Sequence, residues 1–223
     1  YYFVLFAMLG INNYGNRLIA RLRSDKTKMS RSFWEVWTLQ ALLGLIAVFF
    51  YLLYSLNSSF GSIAFSWIFY VISSIFDINW FFFGLEEFKV TVGRNFLIKL
   101  FTFVLMFIVV RGEHAVFAYC MLISGSTLVS VLILWPFLRA RIIWVRPTIR
   151  GVTTHIVPNL VLFVPVVAVS LYTVLDKVML GHMSTLEQTG FFENSLKVSQ
   201  MPFTLVTALG TVMLPRMSNL IAS

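Results

Sequence analysis

Apolar runs of bilayer length follow one another along almost the whole chain, and no other feature narrows the possible folds as much. Runs near residues 34 to 56, 62 to 84, 95 to 110, 115 to 138, 155 to 175 and 191 to 215 each close on charged or small polar residues. A shorter one occupies residues 1 to 11. Crossing the hydrocarbon core takes roughly 17 to 25 residues, so six of the seven can span; that from 95 to 110 does so only with Val92 and Gly93. In hydrocarbon every backbone polar group needs an internal partner. An all-α polytopic membrane protein of about seven helices, the first truncated, is the fold this pattern predicts. Composition agrees: 59% of residues are hydrophobic and 12% charged, half the charged share of a soluble domain, about 25%. Mean hydropathy is +0.86, and little chain is left for a soluble domain.

"YYFVLFAMLG" enters mid-helix without an initiator methionine and "SNLIAS" stops soon after the seventh run. The expectation is a fragment of a longer protein, so the lack of a signal peptide is uninformative.

A net charge of +8 raises nucleic acid as a partner, and the placement of the charges argues against it. All but three of the 17 lysines and arginines lie in alternate connections. "NRLIARLRSDKTKMSR" carries Arg17, Arg21, Arg23, Lys26, Lys28 and Arg31; residues 85 to 99 carry Lys89, Arg94 and Lys99; "RARIIWVRPTIR" carries four arginines. Arg111, Lys177 and Lys197 are the exceptions. Basic loops face the cytoplasm, and every helix then alternates without contradiction.

Enzyme classes find little footing. Cys120 is the single cysteine, so neither an internal disulfide nor a thiolate metal site can form. His114, His155 and His182 fall in separate connections without the spacing of a metal helix or nucleophile elbow, and read as interfacial polar residues. The outward connections "NSSFG" and "RGEH" are too short to present an acid, a base and a nucleophile. A membrane-embedded glycan polymerase or transferase is therefore disfavoured, and no catalytic residue, metal or cofactor is expected.

Interest shifts to polar groups at membrane depth, which are costly and mark functional sites by default. Ser66, Tyr70, Ser73 and Asp77 recur at intervals of 4, 3 and 4, which on a continuous helix share one face. Asp77 is expected to face inward and to pair with Lys99 or Arg94. Glu193, Lys197, Gln200, Thr204, Thr207 and Thr211 form a second stripe. Threonines alone would read as helix packing; with Glu, Lys and Gln on the same line the stripe reads as cavity lining. Lys197, Glu193, Gln200, Thr204, Asp77 and Tyr70 are thus the candidate substrate-facing residues. Arg17, Arg21 and Arg23 are candidates for a cytoplasmic entrance where anionic lipids are attracted.

"DINWFFFGLEEFKVTVGRN" (77 to 95) resembles the signature of the polysaccharide-transporter family of lipid-linked oligosaccharide flippases, the Wzx-type proteins with a MATE-like fold. "YGNRLIARLR" (14 to 23) resembles the end of that family's second helix, and "LDKVMLGHMSTLEQTGFFENSLKVSQMP" (175 to 202) its seventh-to-eighth helix region. The resemblance implies two lobes of six helices around a central cavity, in a transporter of twelve or more helices. Residues 1 to 138 would complete the N-terminal lobe, 139 to 150 would be a basic cytoplasmic linker, and 151 to 223 would begin the C-terminal lobe. Pro158 and Pro165 would bend the helix after the linker.

The implied activity is transfer of an undecaprenyl-pyrophosphate-linked oligosaccharide across the bacterial inner membrane by alternating access, with polysaccharide assembly proteins as partners. Sodium and proton entry both remain open as the driving ion. A multidrug or lipid exporter of the same superfamily is the alternative; a diphosphate carrier needs a desolvated cation, and Lys197 favours it.

Overall fold

The computed structural model describes residues 1 to 58, 61 to 112, 115 to 185 and 187 to 204. His114, Thr207 and Thr211 lie outside the described residues. Every regular element among the described residues is helical, and five helices are long and apolar enough to cross a membrane: Lys26–Asn57, Gly61–Gly84, Phe88–Val109, Ala115–Leu138 and Ile149–Met183. The protein is an all-α polytopic membrane protein. Residues 187 to 204, the start of the expected seventh span, are helical. Packing divides the chain into two compact units, residues 1 to 166 and 167 to 223.

Helices α1 (Tyr2–Met8) and α2 (Ile11–Leu22) precede the 32-residue α3 (Lys26–Asn57). The basic stretch from Arg17 to Arg31, expected as a loop, is largely helical. Ile11, Gly15 and Ile19 are buried along one side of α2 while Arg17 and Arg21 remain exposed; that amphipathic face supports a second helix from residue 11 onward. Asp25 then caps α3, accepting from the Thr27 and Lys28 amides at 3.1 and 3.0 Å.

The expected helix from 62 to 84 is three pieces: α4 (Gly61–Ser66), α5 (Ile68–Phe76) and α6 (Asn79–Gly84). No proline causes the breaks, and the face shared by Ser66, Tyr70, Ser73 and Asp77 is interrupted. Next come α7 (Phe88–Val109), α8 (Ala115–Leu132) and α9 (Leu134–Leu138), then α10 (Ile149–Thr154) and α11 (Ile156–Met183). Proline does account for two of these later breaks. Pro136 and Pro158 lack the N–H that would reach Leu132 and Thr154, the last residues of α8 and α10. Pro165 stays inside a continuous α11.

The core of the first unit is aromatic. Phe33 of α3 packs against Trp80 and Phe81 of α6 with ring centroids 5.4 and 5.0 Å apart. Helix α2 reaches this core because Gly15 carries no side chain: a Cβ there would lie 2.5 Å from Trp80 Cε3. Gly84 gives the same close approach on α6, where a Cβ would meet Ile19 at 2.7 Å. Small residues set helix approach in membranes, and these two fix the α2–α6 contact.

Candidate functional site

The break after α5 explains Asp77. A helix end leaves its last carbonyls without partners, and inside a bilayer such groups cost several kcal/mol each. Here side chains from two other helices satisfy four in succession. Gln40 of α3 donates from Nε2 to the carbonyls of Ser74 at 2.6 Å and Asp77 at 2.9 Å. Trp37 Nε1 donates to Ile75 at 3.1 Å, and Trp135 Nε1 of α9 to Phe76 at 3.0 Å. Gln40 is fully buried, and its Oε1 accepts from Trp80 Nε1 at 3.0 Å. Indoles suit this duty, because each carries one donor on a large apolar body.

Asp77 itself is extended, with φ −75° and ψ 99°. Its Oδ1 accepts from the Asn79 backbone amide at 3.0 Å and from Asn79 Nδ2 at 2.6 Å. Asn79 Oδ1 in turn accepts from Arg94 Nη2 at 3.0 Å. The direct ion pair expected with Arg94 or Lys99 is thus replaced by a relay, since Asn79 occupies the space between carboxylate and guanidinium. Arg94 also donates to the Ser130 carbonyl at 2.7 Å and to Asn95 Oδ1 at 2.7 Å, tying α6, α7 and α8 together. Ser66 and Ser73 donate to the Ile63 and Tyr70 carbonyls at 2.6 and 2.7 Å within their own segments; their hydroxyls serve the backbone. Tyr70 lines a cavity of about 390 Å³ with Tyr1, Tyr51 and Trp67.

A second polar cluster lies where α3 meets α10, and its key residue Glu35 drew no attention in the sequence. Glu35 and His155 are both buried, with His155 Nε2 3.5 Å from Glu35 Oε2. Tyr14 Oη lies 2.7 Å from His155 Nδ1. Thr148 donates to Glu35 Oε1 at 3.2 Å while capping α10, and Arg31 Nε stands 3.7 Å from the same oxygen. Gly151 leaves room for the carboxylate, which a Cβ there would strike.

The basic segment after α9 lies along α3. Trp34 Nε1 donates to the Ile143 carbonyl at 3.0 Å, and the Ile143 amide donates to Ser30 Oγ at 3.1 Å. Arg141 pairs with Glu87 at 2.8 Å. Of the entrance candidates, Arg23 pairs with Glu86 at 3.1 Å, and Arg17 and Arg21 project from α2.

In the second unit Glu193 holds two lysines: Lys177 of α11 at 2.5 Å and Lys197, one turn along its own helix, at 3.6 Å. Lys177, one of the three cations outside the basic connections, makes the shorter pair. Gln200 and Thr204 follow on the same helix, both exposed, with Thr204 Oγ1 donating to the Gln200 carbonyl at 3.0 Å. Among the described residues no cluster of His, Cys, Asp and Glu is arranged to hold a metal ion.

A family model described as "Polysaccharide biosynthesis protein" matches residues 1 to 221. No curated protein and no solved structure matches the chain.

Proposed function

Since this chain belongs to the polysaccharide biosynthesis protein family, we propose that it is part of a flippase for undecaprenyl-pyrophosphate-linked oligosaccharide repeat units in the bacterial inner membrane. Its work is movement rather than bond chemistry: sugar and diphosphate cross inside a polar path while the lipid tail stays in the bilayer.

The observation that carries this reading is the triad in the second unit. One carboxylate, Glu193, faces two ammonium groups, Lys177 and Lys197, which leaves one positive charge in excess. Lys197 holds the longer contact and is the more exposed, so it is the lysine that a diphosphate can draw away while Lys177 keeps Glu193 paired. A cavity for cationic drugs would want the reverse balance.

The test is made in the full-length protein with membrane levels checked. Lys197→Ala should cause lipid-linked repeat units to accumulate on the cytoplasmic face, and Lys197→Arg should restore export in part. Normal export by the alanine variant would end the substrate role.

A further inference from the structure

We propose that the groove between α7 and α8 is an anion subsite for the phosphate ester of a membrane lipid, with Lys99 as its cation. Helix α7 begins at Phe88, so Lys99 stands one half of the helix in, about 16 Å along its axis. That is near the middle of a hydrocarbon core about 30 Å thick. A helix beginning at residue 95, where the apolar run starts, would leave Lys99 only one turn from that end. An ammonium at mid-depth is expensive and takes a partner or lines a wet cavity. The carboxylate that the sequence suggests as its partner, Asp77, is committed to Asn79 and through it to Arg94. Lys99 makes no ion pair among the described residues.

The surroundings have what an anion needs. Asn95, Lys99 and Thr102 on α7 face Ser126, Thr127 and Ser130 on α8 across a cavity of about 450 Å³. Asn95 Oδ1 already accepts from Arg94 at 2.7 Å and Ser130 Oγ at 3.5 Å; the atom left to the groove is its amide nitrogen, a donor. The Ser126 and Thr127 hydroxyls now donate to the Ile123 carbonyl at 2.9 and 2.8 Å and can rotate toward an anion. The groove has no carboxylate lining it, which disfavours a metal ion or cationic ligand. Its remaining walls are apolar, as the start of a lipid chain beside an ester requires. Two sources share this chemistry: a carried isoprenyl pyrophosphate or the headgroup of a resident anionic phospholipid. The choice between them, though not the subsite, rests on the flippase reading.

Native mass spectrometry of the purified full-length protein, supplied separately with undecaprenyl pyrophosphate and with phosphatidylglycerol, tests the proposal. Wild type should retain at least one of these lipids. Lys99→Met, neutral and suited to the bilayer, should lower its retention at least tenfold at an unchanged melting temperature, and Lys99→Arg should recover most of it. Preference for the isoprenyl pyrophosphate assigns the subsite to cargo; equal retention assigns it to a resident phospholipid and leaves the subsite standing even if the flippase reading fails. Retention of both lipids by Lys99→Met at the wild-type level overturns it, as does failure of a stably folded Lys99→Arg to recover binding.

Discussion

Trp80 donates its indole N–H to Gln40 Oε1 across 3.0 Å, joining residues 40 positions apart in the chain. That bond decides which end of the Gln40 amide faces which partner. With the oxygen taken by the indole, Nε2 is turned to the Ser74 and Asp77 carbonyls. Gln40→Leu, close in volume, removes the donor and leaves two carbonyls and an indole without partners. At roughly 1 to 3 kcal/mol for an unsatisfied buried group, a loss of several kcal/mol is expected. Gln40→Glu should be no milder, since a carboxylate oxygen would face two carbonyl oxygens. Melting temperature in detergent and yield in membranes report both.

Arg94 and Asp77 are coupled through Asn79, so their substitutions should not add. Arg94→Ala leaves a carboxylate at membrane depth with only the two neutral amides of Asn79 to hold it, and folded yield should fall sharply. Adding Asp77→Asn removes the stranded charge and should recover part of that yield. A double variant as poor as the sum of the singles would exclude the coupling.

Replacing Gly15 by alanine drives a methyl group into the Trp80 ring. The cost combines overpacking, typically 1 to 3 kcal/mol, with displacement of an indole that also serves Gln40. Gly15→Ala should therefore lower stability and shift tryptophan fluorescence, whereas Gly93→Ala, with nothing within 4 Å of its added Cβ, should do neither.

At the start of α3, hydrogen bonding, chiefly from the Lys28 amide, holds the Asp25 carboxyl below the usual carboxylate range. A folded value below the unfolded one, about 3.9, means that the cap acts fully above pH 4 and fades as pH falls through the folded value. The protection of the Thr27 and Lys28 amides against exchange, taken relative to their intrinsic rates at each pH, should fall in acid. In Asp25→Asn, which keeps an accepting oxygen, that protection should lose this pH dependence.

The helical fold was legible because bilayer length and apolarity leave few alternatives, and the expected spans coincide closely with Gly61–Gly84 and Ala115–Leu138, whereas Phe88–Val109 begins about two turns before the expected residue 95. Proline marked two breaks, at Ile133 and His155. The break at Asp77 carried no local signal, because its cause is distant: Trp37, Gln40 and Trp135 become donors to that segment only once α3 and α9 are packed beside it. Periodicity therefore put Ser66, Tyr70, Ser73 and Asp77 on one continuous face that the chain does not have. The Glu193 and Lys197 contact was readable as an i, i+4 pair, whereas Lys177 and the Glu35–His155–Tyr14 cluster join residues too far apart for spacing to connect. Asn79 looked like an ordinary polar residue beside an aspartate, and only the position of Arg94 makes it a bridge.

The four carbonyls closed off at the end of α5 also limit how α3 can move. Their donors come from α3 and α9, on opposite sides of the broken helix in chain order, and each bond has a single acceptor position. Sliding α3 by one residue would move Trp37 and Gln40 about 1.5 Å and strip three of those bonds at once. The broken span is accordingly tied to α3 and α9 at four consecutive carbonyls, and α3 cannot shift along it without giving up its share of those bonds.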